Sequence, residues 1–189
     1  MAGYEATLRR VQALLAPAQS VLEIGCGTGT TALRLAGGTR QLLATDVSAA
    51  MVAIAREKLA RQPCPQLRFE VADAESRCVD DAQHDVVLAF NVLHLLGDLD
   101  RALDATLASL KPGGLFVSKT PCLGEMHPVV PRLLVPLMRA VGRAPAVLVF
   151  DARQLQSALE RHGLGIETVE RHGTQRKDMR VFIVARKAR

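Results

Sequence analysis

Val21-Leu22-Glu23-Ile24-Gly25-Cys26-Gly27-Thr28-Gly29-Thr30 is the stretch that decides how this chain folds. An apolar run, Ser20–Ile24, reads as a short strand and breaks into glycines at every second position. Without side chains, the backbone at Gly25, Gly27 and Gly29 can turn tightly and lie against a ligand. A helix signal follows over Thr30–Ala36, with Leu33 and Leu35 as apolar positions. Strand, glycine bend and helix in that order put the bend at the carboxyl end of a parallel strand, where open α/β sheets bind ligands. A plain tight turn at a strand end is the simpler alternative.

The spacing of the glycines selects among ligands. A dinucleotide fingerprint, G-x-G-x-x-G, needs its third glycine at position 30, which is Thr30; here it falls at 29. Glu23 stands two residues before the first glycine, and a carboxylate there suits a positively charged ligand better than a pyrophosphate. S-adenosylmethionine, with a sulfonium, an ammonium and no phosphate, fits. Gln41–Asp46 reads as a second strand ending in a carboxylate able to accept from both hydroxyls of a ribose. Three more strands follow: Leu67–Val71 running into Ala72-Asp73-Ala74, His84–Ala89, and Gly113–Lys119 announced by Lys111-Pro112-Gly113-Gly114.

Taken in order, Leu22–Gly29, Thr45-Asp46, Ala72-Asp73-Ala74, Asp85–Leu88 and Leu110–Gly114 resemble the motifs of the class I S-adenosylmethionine-dependent methyltransferases. The resemblance runs from about Ser20 to the C-terminus. It is strongest to the small-molecule enzymes, including those of quinone and natural-product biosynthesis. It implies an α/β fold with a Rossmann-like, doubly wound, seven-stranded sheet, mostly parallel with an antiparallel C-terminal strand. It also implies S-adenosyl-L-methionine as cofactor, S-adenosyl-L-homocysteine as product, and a set of binding positions. Gly25, Cys26, Gly27, Thr28 and Gly29 would lie under the methionine part and ribose. Glu23 would favour the ammonium and Asp46 would take the ribose diol. Val47 and Met51 would cover the adenine, Asp73 and the Ala74 amide would meet its edge, and Phe90 and Asn91 would line the methionine moiety.

The remaining sequence agrees and excludes other classes. A chain of 189 residues is one domain by size and buries a sizeable core. Hydrophobic residues make up 49% but aromatics only 3%, so Leu, Val, Ile and Ala must build that core. The net charge of +5 comes from scattered arginines with few aromatics to stack bases, which disfavours nucleic acid as a partner. The densest basic cluster, Arg171, His172, Arg176, Lys177 and Arg180, reads as a solvated loop. Cys26, Cys64, Cys78 and Cys122 form no C-x-x-C pair, so no metal site is expected and a cytoplasmic setting fits. No signal peptide or transmembrane span is expected.

Helices are expected over Tyr4–Leu15, after Ser48 with a buried stripe of Met51, Val52, Ala55 and Leu59, and after Asp98 with Leu99, Leu103, Leu107 and Leu110 on one face. Asp151 and Gln154 resemble a capping box whose helix Gly163 closes. Gly165–Glu170 and Met179–Ala185 can pair as a hairpin.

Methyl transfer is an in-line displacement at an activated carbon, so alignment supplies much of the acceleration and a base is needed only if the acceptor must lose a proton. His94, just after the fourth strand, is the candidate base. His127, Glu125 and Tyr4 are weaker ones. Residues 121–149, with five of the nine prolines, read as a lid over a small apolar or aromatic acceptor, or as an interface. The first 19 residues read as a cap helix; this short cap leaves the acceptor side open or completed by a partner chain, as in a homodimer. Ala89-Phe90-Asn91-Val92 lacks the prolines of amine-directed nucleic-acid methyltransferases, and neither Pro63-Cys64 nor Pro121-Cys122 sits where a cytosine-directed enzyme needs its nucleophile. Nucleic-acid or protein methylation, a non-catalytic cofactor-binding module and an NAD-linked oxidoreductase stand as the alternatives.

Overall fold

β1 (Ser20–Ile24) is buried at all five positions and lies inside the sheet, third from one edge. The computed structural model describes residues 2–76, 83–125, 147–173 and 179–189. On one side β1 pairs in parallel with β2 (Gln41–Asp46), which pairs in parallel with β3 (Leu67–Val71). On the other side it pairs in parallel with β4 (His84–Phe90), which pairs with β5 (Leu110–Pro121). β6 (Leu164–Glu170) and β7 (Arg180–Lys187) complete a seven-stranded sheet of order β3-β2-β1-β4-β5-β7-β6, in which β7 lies antiparallel to both neighbours. The strand order reverses between β1 and β4, so the crevice for a ligand opens above their carboxyl ends.

Both faces of the sheet are covered, which is why the central strands are apolar throughout rather than alternating. One core packs Val21, Leu42, Leu88, Val117 and Phe182 against helices α1 (Ala2–Gln12), α2 (Thr30–Leu35) and α3 (Ala49–Arg61). The other packs Leu22, Val87, Phe116 and Ile183 against α4 (Leu99–Ala108) and α5 (Ala152–Arg161). Phe116 and Phe182 are fully buried on opposite faces, each worth about 2–3 kcal/mol of apolar transfer.

Caps place the helices. The Ser48 hydroxyl accepts from the Met51 amide, Asp98 accepts from the Arg101 amide at 3.1 Å, and Asp151 with Gln154 forms the expected capping box. Each such cap contributes about 1 kcal/mol. Gly163 ends α5 at a φ of 81°.

Several expectations are corrected. α1 ends at Gln12, short of Leu15. Met51 is exposed, so the buried stripe of α3 is Val52 and Ala55. Leu110 opens β5 by pairing with His84 and is not the last turn of α4. Phe90 ends β4 as a strand residue because it pairs with Lys119. Of the expected solvated loop, Arg171 is exposed but meets Glu125 at 2.8 Å, whereas His172 is not solvated: its ring packs on Phe182 with centroids 4.6 Å apart. Residues 126–146, with His127 and most of the expected lid, and Cys78, Arg176 and Lys177 lie outside the described residues.

Candidate functional site

The bend after β1 turns through three left-handed glycines, with φ of 65° at Gly25, 54° at Gly27 and 73° at Gly29. They are required for different reasons. A Cβ on Gly25 would collide with the Val92 side chain, and one on Gly29 would lie 2.5 Å from the Phe69 ring and 2.8 Å from the Ala55 methyl. A Cβ on Gly27 would meet nothing within 4 Å, so the middle of the bend faces open space. The Gly29 amide donates to the Cys26 carbonyl at 3.0 Å and closes the turn.

Asp46, the last residue of β2, comes alongside. Its Oδ2 accepts from the Gly27 amide at 2.8 Å and its Oδ1 from the Ser48 amide at 2.9 Å. A carboxylate has about four lone-pair sites, so two remain for further donors. The Ala72 amide donates to the Asp46 carbonyl at 3.1 Å, which draws the 72–76 turn to the same edge. There the Asp73 side chain accepts from the Glu75 amide at 2.9 Å and the Ser76 hydroxyl at 3.3 Å. Ile24, Thr45, Ala72, Asp73, Ala74 and Ala105 line a narrow cleft beside the bend. Val47 is 71% exposed and Met51 42%, so their apolar side chains stand free above this edge.

Glu23 is 2% exposed, and its Oε2 has no hydrogen-bond partner among the described residues. Burial pushes its carboxyl up to about 8. An interior carboxylate oxygen of this kind fits a cation and repels a phosphate. Cys26 is inert: burial, with the negative charges of Glu23 and Asp46, pushes its thiol up to about 12. Across the crevice Asn91, exposed and with a φ of 54°, follows the last residue of β4, its amide donating to the Lys119 carbonyl at 2.8 Å. Strain of this sort clusters at functional sites.

His94 lies in the 3-10 turn Leu93–Leu95. Burial holds its ring below the usual imidazole range, and its Nδ1 is buried without a partner among the described residues. Its carbonyl, not its ring, has the described bond, accepting from Leu148 at 2.8 Å. Glu125 is engaged by Arg171 through both carboxylate oxygens, which removes it as a free base. The Tyr4 hydroxyl lies 3.2 Å from that of Thr31 in the first turn of α2, so α1 lies beside the start of that helix.

Sequence reading missed the side chains that hold this edge from outside. Lys58 of α3 reaches Thr28 and Thr30 in the bend. Lys119, nearly buried at the end of β5, donates to the Thr7 hydroxyl at 2.7 Å, and that hydroxyl lies 3.0 Å from His172 Nδ1. A lysine breaking the apolar run of β5 was the available signal for the second; the first left none.

Residues 21–114 match a family model described as a methyltransferase domain. With the seven-stranded sheet and the glycine bend, this defines the class: the chain belongs to the class I S-adenosylmethionine-dependent methyltransferases, and S-adenosylmethionine is the cofactor. Among known proteins it is similar to the trans-aconitate 2-methyltransferase of Variovorax paradoxus, with 34% identity over 109 residues covering 57% of this chain and 40% of that protein. The match thus spans less than half of that relative's length. A solved S-adenosylmethionine-dependent methyltransferase of Mesorhizobium loti superposes with a TM-score of 0.78 at 23% identity, over 98% of both chains. An N-methyltransferase of Haemonchus contortus, solved with phosphomonomethylethanolamine and S-adenosylhomocysteine, superposes with a TM-score of 0.81 at 17% identity, over 99% of this chain and 54% of that one. These last two likenesses are of fold. No helix among the described residues is long and apolar enough to cross a membrane.

Proposed function

We propose that this domain transfers a methyl group from S-adenosylmethionine to a small, apolar or aromatic organic acceptor. One observation carries the cofactor side: the buried oxygen of Glu23, without a partner among the described residues, lies below a glycine bend whose inner amide is already held by Asp46. In this reading Glu23 receives the ammonium, directly or through water. Asp46 accepts from the ribose diol with the lone pairs that Gly27 and Ser48 leave open. The backbone of Gly25–Gly29 lies beneath the methionine part and ribose, with Cys26 and Thr28 as its small intervening residues. Val47 and Met51 cover the adenine, Asp73 and the Ala74 amide meet its edge, and Phe90 and Asn91 flank the methionine moiety.

The bound cofactor supplies an electrophilic methyl carbon; the chain's task is to align an acceptor with it and keep water out. His94, neutral at neutral pH because of its burial, is the group able to take a proton from an acidic acceptor. The first turn of α1, anchored through Tyr4 and Thr7, supports an acceptor space bounded by α1 and the ends of β4 and β5. The substrate in the name of the Variovorax relative, trans-aconitate, is a small organic molecule, which supports the size of the acceptor, but as a tricarboxylate it does not support its apolar character.

The test is calorimetric titration with S-adenosylmethionine and S-adenosylhomocysteine, followed by a methyl-donor turnover screen across small-molecule classes with Asp46→Ala as blank. Both nucleosides should bind the wild type, and Asp46→Ala should lose about 100-fold in affinity, as expected for charge-assisted bonds to a diol. Near-normal affinity in that variant removes the ribose assignment. Binding of NADH instead of either nucleoside replaces the whole reading with the oxidoreductase one.

A further inference from the structure

We propose that Lys58 is a positioning residue for the cofactor loop, an ammonium clamp that holds the glycine bend from its outer side. The proposal rests on the cofactor reading above. Lys58 lies in the last turn of α3, and its Nζ donates to the Thr28 carbonyl at 2.9 Å, the Thr28 hydroxyl at 2.9 Å and the Thr30 hydroxyl at 3.1 Å. A lysine tip has three donors, and all three are used on this one loop. None of the three acceptors carries a charge, so this is not a surface ion pair that salt would screen away.

The clamp acts at the point where the bend has least support of its own. Thr28 lies between two left-handed glycines, and its carbonyl belongs to the peptide whose other end is the Gly29 amide. That amide closes the turn onto the Cys26 carbonyl at 3.0 Å. An ammonium on the Thr28 carbonyl polarises this peptide and strengthens the closing bond. From the inner side Asp46 holds the Gly27 amide at 2.8 Å, so an anion from β2 and a cation from α3 bracket successive residues of one turn. α3 itself is braced, since Arg56 donates twice to the Phe69 carbonyl and both Phe69 and Ala55 close on Gly29. A loop held this way is shaped before its ligand arrives, which lowers the ordering cost of binding.

The clamp lies on the outside of the bend, so its loss should weaken every nucleoside that rests on the inside by the same factor. We expect Lys58→Met, which keeps most of the apolar stem, to raise the Kd for S-adenosylmethionine and for S-adenosylhomocysteine alike, by about tenfold. Amide exchange of Gly27–Thr30 should accelerate while that of β1 is retained. Lys58→Arg should bind with intermediate affinity, and Glu57→Gln, exposed on the same helix, should bind as the wild type does. Wild-type affinity in Lys58→Met overturns the proposal while leaving the cofactor reading intact. A loss confined to the sulfonium form also overturns it, because that would make the role electrostatic rather than positional. Failure of the wild type to bind either nucleoside removes the cofactor reading and the proposal with it.

Discussion

The two edges of the central strands are built on opposite principles. At the amino edge, polar groups are paired with one another. The Ser20 amide donates to Asp85 at 2.8 Å, Lys111 meets the other oxygen of that carboxylate at 2.7 Å, and the Ser20 hydroxyl lies 3.0 Å from His84 Nδ1 while accepting from Gln41. Only His84 Nε2 in this group lacks a partner among the described residues. At the carboxyl edge, about 10–20 Å along the same strands at about 3.3 Å per residue, one interior oxygen of Glu23 has no partner among the described residues and Asn91 joins three glycines in left-handed backbone. One edge fastens β1 to β4. The other holds a buried carboxyl and left-handed backbone ready for a ligand, a division expected when a functional site draws on the stability of its scaffold.

The contrast can be broken or sharpened by substitution. The largest effect should come from Gly29→Ala, where a methyl meets the Phe69 ring and Ala55 as well as the left-handed backbone. A loss of about 3 kcal/mol is expected in urea unfolding. Gly27→Ala, with the same handedness but open space, should lose only about 1 kcal/mol while cofactor affinity falls. Equal losses in the two variants would mean that packing does not distinguish the two glycines.

Glu23 should produce the next largest effect, as a pH dependence. Its folded carboxyl is raised from 4.5 to about 8, so between those values the unfolded chain gives up the proton first. The free protein should therefore lose stability as pH rises across that window. A cationic ligand favours the ionised form, so cofactor binding should release a proton and tighten from pH 6 to 7.5. Glu23→Gln should flatten both profiles; an unchanged binding profile in that variant would assign the proton elsewhere.

The smallest effect belongs to the amino edge. Burial pushes the Asp85 carboxyl up, but Lys111 and the Ser20 amide outweigh it and hold it below the usual range. Its contribution is present above pH 3.8 and is lost as pH falls through the lower folded value. Lys111→Met should cost about 0.5–1 kcal/mol at neutral pH and leave cofactor affinity unchanged. A change in affinity would show that the two edges communicate through β1 and β4.

How much could be read in advance follows from the range of the forces involved. The strand Ser20–Ile24, the glycine bend, the caps at Ser48, Asp98 and Asp151 and the carboxylate ending β2 are local patterns, each set by a few consecutive residues. They were legible for that reason. Leu110 was misread because its helical spacing from Leu107 is real, yet pairing with His84 makes it a strand residue. Met51 was misread because an apolar residue one turn into a helix looks like core, and only the neighbouring elements decide whether anything covers it.

The sequence by itself determined the parallel architecture, the position of the bend and the sign of charge at its base, because periodicity, glycine spacing and residue type carry that information locally. Tertiary structure alone decided that α3 grips the bend through Lys58, that α1 is tied to β5 through Thr7 and Lys119, and that one oxygen of Glu23 is left without a partner among the described residues. Those contacts join residues 30 and 112 positions apart, or depend on what fails to arrive beside a buried group. Neither leaves a periodic trace, because side-chain reach and desolvation depend on where the chain returns in space and not on what stands next along it.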